Sequence, residues 1–334
     1  MRYVALLGAG FSKNWHGWLS AEVFDYFLTC SEIRENDRLR RLLWDHKARG
    51  NGFEGALEEL QRAYSEDPET ARADLQALER SILRMLSDMN SAFLADGMLE
   101  FDSSSPPKVA SFLAKFDAIF SLNQDLLLEH RYKDRVDISL LLPRRWGSVQ
   151  FPGLKRIPCD EPIYSNSWAR SSWVPLSEAE FQIHRDSQPI FKLHGSSNWR
   201  TASGGGILVM GGQKARQIGL HPILRWYADE FERILFGGEV KLMVIGYGFH
   251  DDHINKTIIR AAREFALTMF IMSPEGAGLA RGLNQTYGSG LIPSRPTELE
   301  EVFEQFLCGA STRPLQSTFS EDAAEYAKVQ RFFE

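Results

Sequence analysis

Short apolar runs alternate along this chain with segments of helical periodicity. The run 3–7 is apolar and stops at Gly8-Ala9-Gly10, which predicts a buried strand entering a tight turn. Val23, Phe24, Phe27 and Leu28 keep helical spacing. Asp67-Pro68-Glu69 places a capping residue before a proline suited to the first helical position. Behind it Leu75, Leu78, Ile82, Met85, Met89 and Phe93 recur every three or four residues, predicting one amphipathic helix from 68 to about 96 with a plain core face. The serine- and proline-rich stretch 103–107 reads as loop.

Further strands are predicted over 117–122, ending in Asn123-Gln124-Asp125, and over 189–193, ending in His194-Gly195. A short strand over 207–210 and a helix over 222–235 follow, then a strand over 241–245 that runs into Gly246-Tyr247-Gly248. Asp251 or Asp252 is suited to cap the next helix, and 267–272 reads as one more strand. Residues 143–189 hold six of the 14 prolines, with Trp146, Trp168 and Trp173, and read as an ordered, loop-rich excursion. The last 35 residues read as amphipathic helix.

Strands alternating with helices predict an α/β fold: a Rossmann-like parallel sheet flanked by helices, with a smaller helical and loop-rich subdomain. The expected organisation is one unit over 1–275, with a helical insertion at about 35–100 and the loop-rich insertion at about 143–189. A C-terminal helical segment, 276–334, completes it.

The 334 residues are 43% hydrophobic and 25% charged, which excludes global disorder. A net charge of −6 lacks the strongly basic footprint of a nucleic-acid binder, so no direct nucleic-acid partner is expected. No run of about 18 apolar residues occurs, so no membrane span is expected. Cys30, Cys159 and Cys308 form no C-x-x-C pair, which excludes a four-cysteine zinc ribbon. The opening apolar run is too short for a signal peptide, and the expected compartment is the cytoplasm.

In open α/β sheets ligands bind beyond the carboxyl ends of the strands. Here those ends carry the polar chemistry. Gly8-Ala9-Gly10-Phe11-Ser12 can turn backbone N–H groups to a phosphate, or can be a tight strand-to-helix turn. It is neither a full G-x-G-x-x-G nor a P-loop. Asn123 can hold a ribose hydroxyl or a water and Asp125 can accept from a carboxamide, or the pair can close an Asx turn. His194 suits a general base near neutral pH, or a buried structural histidine. His250 and His253 flank Asp251-Asp252; helix capping outweighs a metal reading there, and no metal is expected.

Taken together, these segments resemble the sirtuin-like, or silent information regulator two, family. Its G-A-G-x-S loop, T-x-N-x-D strand end and H-G stand here as Gly8-Ala9-Gly10-Phe11-Ser12, Ser121-Leu122-Asn123-Gln124-Asp125 and His194-Gly195, in the same order. Residues 245–255 are similar to the I-G-Y-S-F-x-D-D-H-I-N block of the bacterial antiphage branch, and residues 191–199 to its K-L-H-G-S-x-N-W. The resemblance covers about 1–275. The chain departs from the deacylases by lacking their zinc module, by a longer Asp125–His194 spacing, and by serine for threonine at 121.

The resemblance implies an NAD+ hydrolase that releases nicotinamide and ADP-ribose as an antiphage effector. The alternative is a non-catalytic NAD or ADP-ribose sensor or scaffold subunit. It further implies that Gly8, Ala9 and Gly10, with Phe11 beside them, cradle the pyrophosphate and that Ser12 bonds a phosphate. Asp125 would take the nicotinamide carboxamide, Asn123 the ribose or water, and His194 the role of base. Gly246, Tyr247, Gly248 and Phe249 would line the adenosine side. Expected partners are NAD+, further copies of the chain, and a HerA-type ATPase or another defence protein. Two segments are candidates for restraint of the activity: the 143–189 excursion, as a cover for the pocket or a subunit contact, and the C-terminal residues Val302, Phe303, Phe306 and Leu307, as a docking face or as core.

Overall fold

The computed structural model describes residues 1–93, 109–134, 145–162, 166–281 and 296–334. Its centre is a seven-stranded parallel sheet in the order β11-β10-β9-β1-β2-β6-β3. The strands are β1 (Arg2–Leu7), β2 (Ala118–Ser121), β3 (Ser148–Gln150), β6 (Ser187–Lys192), β9 (Val240–Ile245), β10 (Thr268–Met272) and β11 (Leu307–Ser311). The central strands read as continuous apolar runs because helices cover both faces of a parallel sheet. Val4 to Leu7 and Ile119 to Phe120 are accordingly fully buried. Burying each such side chain contributes about 1.5–3 kcal/mol.

β1 lies between β2 and β9, pairing Val4–Leu7 with Ala118–Ser121 on one side and Arg2–Leu7 with Val240–Ile245 on the other. The chain leaves β1 towards β2 and β6, then returns to β9 on the opposite flank. That reversal is the place where open sheets form a crevice. A helical lobe fills the connection from β1 to β2. Its longest member, Pro68–Ala92, starts as expected: the Asp67 carboxylate accepts from the Thr70 N–H and proline follows. The last residues expected for this helix, 94–96, and the loop at 103–107 lie outside the described residues.

Three expectations are revised. The 143–189 excursion is richer in strands than a loop reading allows, within its described part. It supplies β3 to the main sheet and β4 (Leu154–Ile157) and β5 (Ser172–Pro175) to a four-stranded sheet completed by β7 (Gly195–Arg200) and β8 (Gly206–Leu208). Two of its tryptophans pack there: Trp168 lies tilted and Trp173 edge-on against Phe151, which also meets Trp199. The C-terminal segment is also not wholly helical. Between helices Glu298–Phe306 and Leu315–Ser320 it inserts β11 as an edge strand beside β10. Val302 and Phe303 are buried within the chain, the latter edge-on to Phe249. Finally, Asp251 occupies the capping position of helix Asp252–Phe265 but its side chain does not cap.

Candidate functional site

The carboxyl ends of β1, β2, β6 and β9 open into a cleft of about 2560 Å³. It is lined by Gly8, Ala9, Gly10, Ser12, Asn123, Asp125, His194, Gly246, Tyr247 and Gly248, ten of the twelve positions singled out by sequence. Phe11 and Phe249 are brought to the same loops but turn their rings into the core, at 1% and 3% exposure. Opposite walls come from the helical lobe (Glu54, Glu58), from Met210–Lys214, and from the C-terminal residues Thr312–Ser317. Among the described residues, the 143–189 excursion contributes nothing to the lining of this cleft.

The glycines hold two loops together. The Gly8 N–H donates to the Ile245 carbonyl at 2.9 Å and the Gly10 N–H to the Gly246 carbonyl at 2.8 Å. A Cβ on Gly8 would sit 2.6 Å from the Gly246 oxygen. Gly246 has φ +65°, and a Cβ there would sit 2.3 Å from the Gly10 carbonyl carbon. Only glycine permits this conformation and approach without strain. Of the first three loop residues, Ala9 alone keeps an N–H without a partner among the described residues, so the loop is mainly a joint between β1 and β9.

Asn123 is fixed by its amide hydrogens, which donate to the Gly8 carbonyl and to Ser12 Oγ, both at 2.9 Å. Its Oδ1 has no partner among the described residues. Ser12 Oγ in turn donates to Asp125 Oδ2 at 2.7 Å, and the Leu127 N–H donates to Oδ1 at 3.1 Å. Ser12 is 2% exposed, and its hydroxyl both accepts from Asn123 and donates to Asp125. Below it Lys192 Nζ donates to the Asp125 carbonyl, to Glu129 Oε1 at 2.9 Å and to Ser196 Oγ at 2.7 Å. Burial raises the carboxyls of Asp125 and Glu129 above their usual range, and the Lys192 charge opposes both shifts.

The His194 side is arranged differently. His194 is 2% exposed, and its Nε2 lies 3.2 Å from Nε2 of His253. Burial pushes its pKa down to about 3, with the Asp251 carboxylate opposing. His253 is lowered in the same direction by burial. Both rings are therefore uncharged at neutral pH, and one must donate to the other. Asp251 accepts from Lys214 Nζ at 2.7 Å, and Lys214 also meets Glu54 at 2.8 Å. Burial would raise the Asp251 carboxyl, but it lies below its ordinary value, with the Lys214 ammonium that donates to it helping to hold it there. Tyr247 accepts the Asp251 N–H and donates to Asn255 Oδ1, both at 2.9 Å, so its hydroxyl braces the helix start.

Sequence reasoning missed His253 as a partner of His194, together with Lys214, Glu54, Lys192 and Glu129. The pairing of His250 with His253 does not form, since His250 is exposed; His194, Asp251 and His253 instead bring ligand atoms within 4.8 Å of one another. An Asp-Asp pair before a helical repeat signals a cap, and only the tertiary structure turns Asp251 towards Lys214. Comparison of the chain with known protein families and with curated proteins finds no match to either.

Proposed function

We propose that this chain hydrolyses the nicotinamide–ribose bond of NAD+. The observation that carries the reading is the Asn123 carboxamide, held by both amide hydrogens so that Oδ1 is left open in the cleft that His194 also lines. In the reaction the bond from ribose C1′ to the nicotinamide nitrogen breaks and its electron pair leaves with neutral nicotinamide. Water adds to the oxocarbenium-like carbon, and its second proton is released. Asn123 Oδ1 would accept a hydrogen bond from that water or from a ribose hydroxyl, orienting it. His194 Nε2 would accept the proton or the ribose hydroxyl hydrogen bond once substrate displaces the contact with His253. Asp125 acts through Ser12 to fix Asn123, and the glycine joint sets the distance between the β1 and β9 loops. The cleft exceeds the roughly 300–1,000 Å³ of ordinary ligand pockets, so a dinucleotide fits with room to spare.

One observation favours the second reading, a sensor that binds NAD+ or ADP-ribose without cleaving it. A histidine held near 3 is a weak proton acceptor, and efficient bases sit near the working pH. The role of antiphage effector, the HerA-type or other partner and self-association follow from the sequence resemblance and belong to the same proposal. The deciding experiment is nicotinamide release by the purified chain, alone and with candidate partners, alongside calorimetry with intact NAD+. Release that disappears in Asn123→Ala supports the hydrolase; binding without release supports the sensor; neither overturns both.

A further inference from the structure

We propose that His194, His253 and Asp251 bind one divalent transition-metal ion of the zinc class at the base of the cleft, and that this ion blocks the site. The binding half stands on geometry alone; the blocking half rests on the hydrolase reading above.

The two imidazoles already stand where a metal would hold them. Their Nε2 atoms face each other across 3.2 Å, with ring centroids 5.3 Å apart. Zinc–nitrogen bonds of about 2.0–2.1 Å at a tetrahedral angle set two ligating nitrogens roughly 3.3–3.4 Å apart. Without metal, the contact requires one ring to carry its proton on Nε2. When the ion binds, that ring keeps a proton on Nδ1 instead, so both Nε2 lone pairs are free and no net proton is lost.

The third ligand is at hand. The ligand atoms of His194, His253 and Asp251 lie within 4.8 Å of one another. Lys214 takes Asp251 Oδ1, which leaves Oδ2 without a partner among the described residues. The ammonium does not cancel the site's charge, because Glu54 also holds it at 2.8 Å. Two carboxylates against one lysine leave a net negative charge beside the two rings. The three ligands sit on firm supports: His194 follows β6, and Asp251 and His253 open the helix Asp252–Phe265. All three line the cleft, so water can take the fourth position. Two imidazoles, one carboxylate and an open position form a donor set that zinc accepts. An ion there would occupy the His194 lone pair that the hydrolase reading assigns to water or ribose.

The test is calorimetric titration of zinc sulfate into the chelator-treated full chain, with visible absorption of the cobalt(II) form as a second readout. The expected result is one ion per chain and the intense d–d bands of four-coordinate cobalt. His253→Ala is expected to weaken zinc binding at least ~100-fold, since changes merely beside a ligand cost 10–100-fold. His250→Ala, at the exposed neighbour, is expected to leave binding unchanged. Should His253→Ala lose its circular dichroism signature of folding, His253→Gln and Asp251→Asn carry the same expectation. Absence of stoichiometric binding, or binding indifferent to these folded variants, overturns the site. Nicotinamide release with and without zinc separates the two halves. Turnover without zinc binding leaves the hydrolase and removes the site; His253-dependent zinc binding without turnover does the reverse. Turnover that stoichiometric zinc leaves intact, despite binding, overturns the blocking half.

Discussion

On the Asn123 side of the cleft, polar groups from the ends of β1, β2 and β6 are tied to one another through Ser12, Asp125, Lys192 and Glu129. On the His194 side, two uncharged imidazoles face each other, and a lysine is shared between Asp251 and Glu54 from a separate lobe. The first side is a buried frame whose members have one arrangement. Under the proposals above, the second would exchange protons, tautomers or a cation without moving backbone. Under the proposed function, a site built this way would hold one part of the ligand at a fixed place and leave the other part to chemistry.

Activity breaks this comparison most directly. Asn123→Ala and His194→Ala are each expected to lower nicotinamide release by about two to four orders of magnitude while leaving the melting temperature within a few degrees. Release retained in both variants would remove the site assignment. Lys192→Met comes next. Lys192 and Glu129 are 1% and 0% exposed, and Glu129 Oε2 already has no hydrogen-bond partner. Removing the lysine strands a buried carboxylate, with an expected cost of about 3–5 kcal/mol in urea unfolding, and Lys192→Met with Glu129→Leu is expected to recover most of it. Equal losses in the single and double variants would show that the frame does not depend on this pair.

Acid should separate the two sides. A histidine whose folded pKa lies below its unfolded value stabilises the protein above the unfolded value and loses that stabilisation as the pH falls. For His194 the window runs from about 6.5 down to about 3, and His253 acts in the same direction. Asp125 and Glu129 are raised, so their contribution is greatest in acid and is lost as the pH rises through their folded values. The melting temperature of the wild type is expected to fall between pH 7.5 and 5.5, and that of His194→Gln to fall less; identical slopes would contradict the burial argument. The smallest effect is expected for Ser12→Ala. It frees the Asn123 amide and removes one acceptor–donor link, costing about 1 kcal/mol in stability and lowering turnover more than affinity.

The frame was more legible in the sequence than the chemistry around it. β1, β2, β6, β9 and β10 are visible as apolar runs because both faces of each strand are buried, and Asp67-Pro68 marks its helix by a purely local rule. β11 is hidden, since Leu307-Cys308-Gly309-Ala310-Ser311 is a half-exposed edge with no β-branched residue to mark it. The strands β3 to β5 are hidden for the opposite reason: tryptophans and prolines pack them through contacts that carry no period. The positions of Gly8, Asn123, Asp125 and His194 follow from strand ends, which sequence locates. Lys214 lies beyond two glycines in a segment without periodicity, and its meeting with Asp251 and Glu54 joins parts of the chain that no local pattern connects.

The pairing of Arg2–Leu7 with Val240–Ile245 has a consequence for the ribosome. The glycine loop after β1 emerges well before the loop that clasps it, which follows β9. At elongation rates of about 5–20 residues per second, that interval is on the order of ten to fifty seconds. Throughout it the Asn123 end of the cleft has no second wall, and Gly8 and Gly10 lack their carbonyl partners. A nascent chain cannot assemble the cleft before β9 has joined β1, so under the proposed function translation itself would keep the protein silent until that strand has paired.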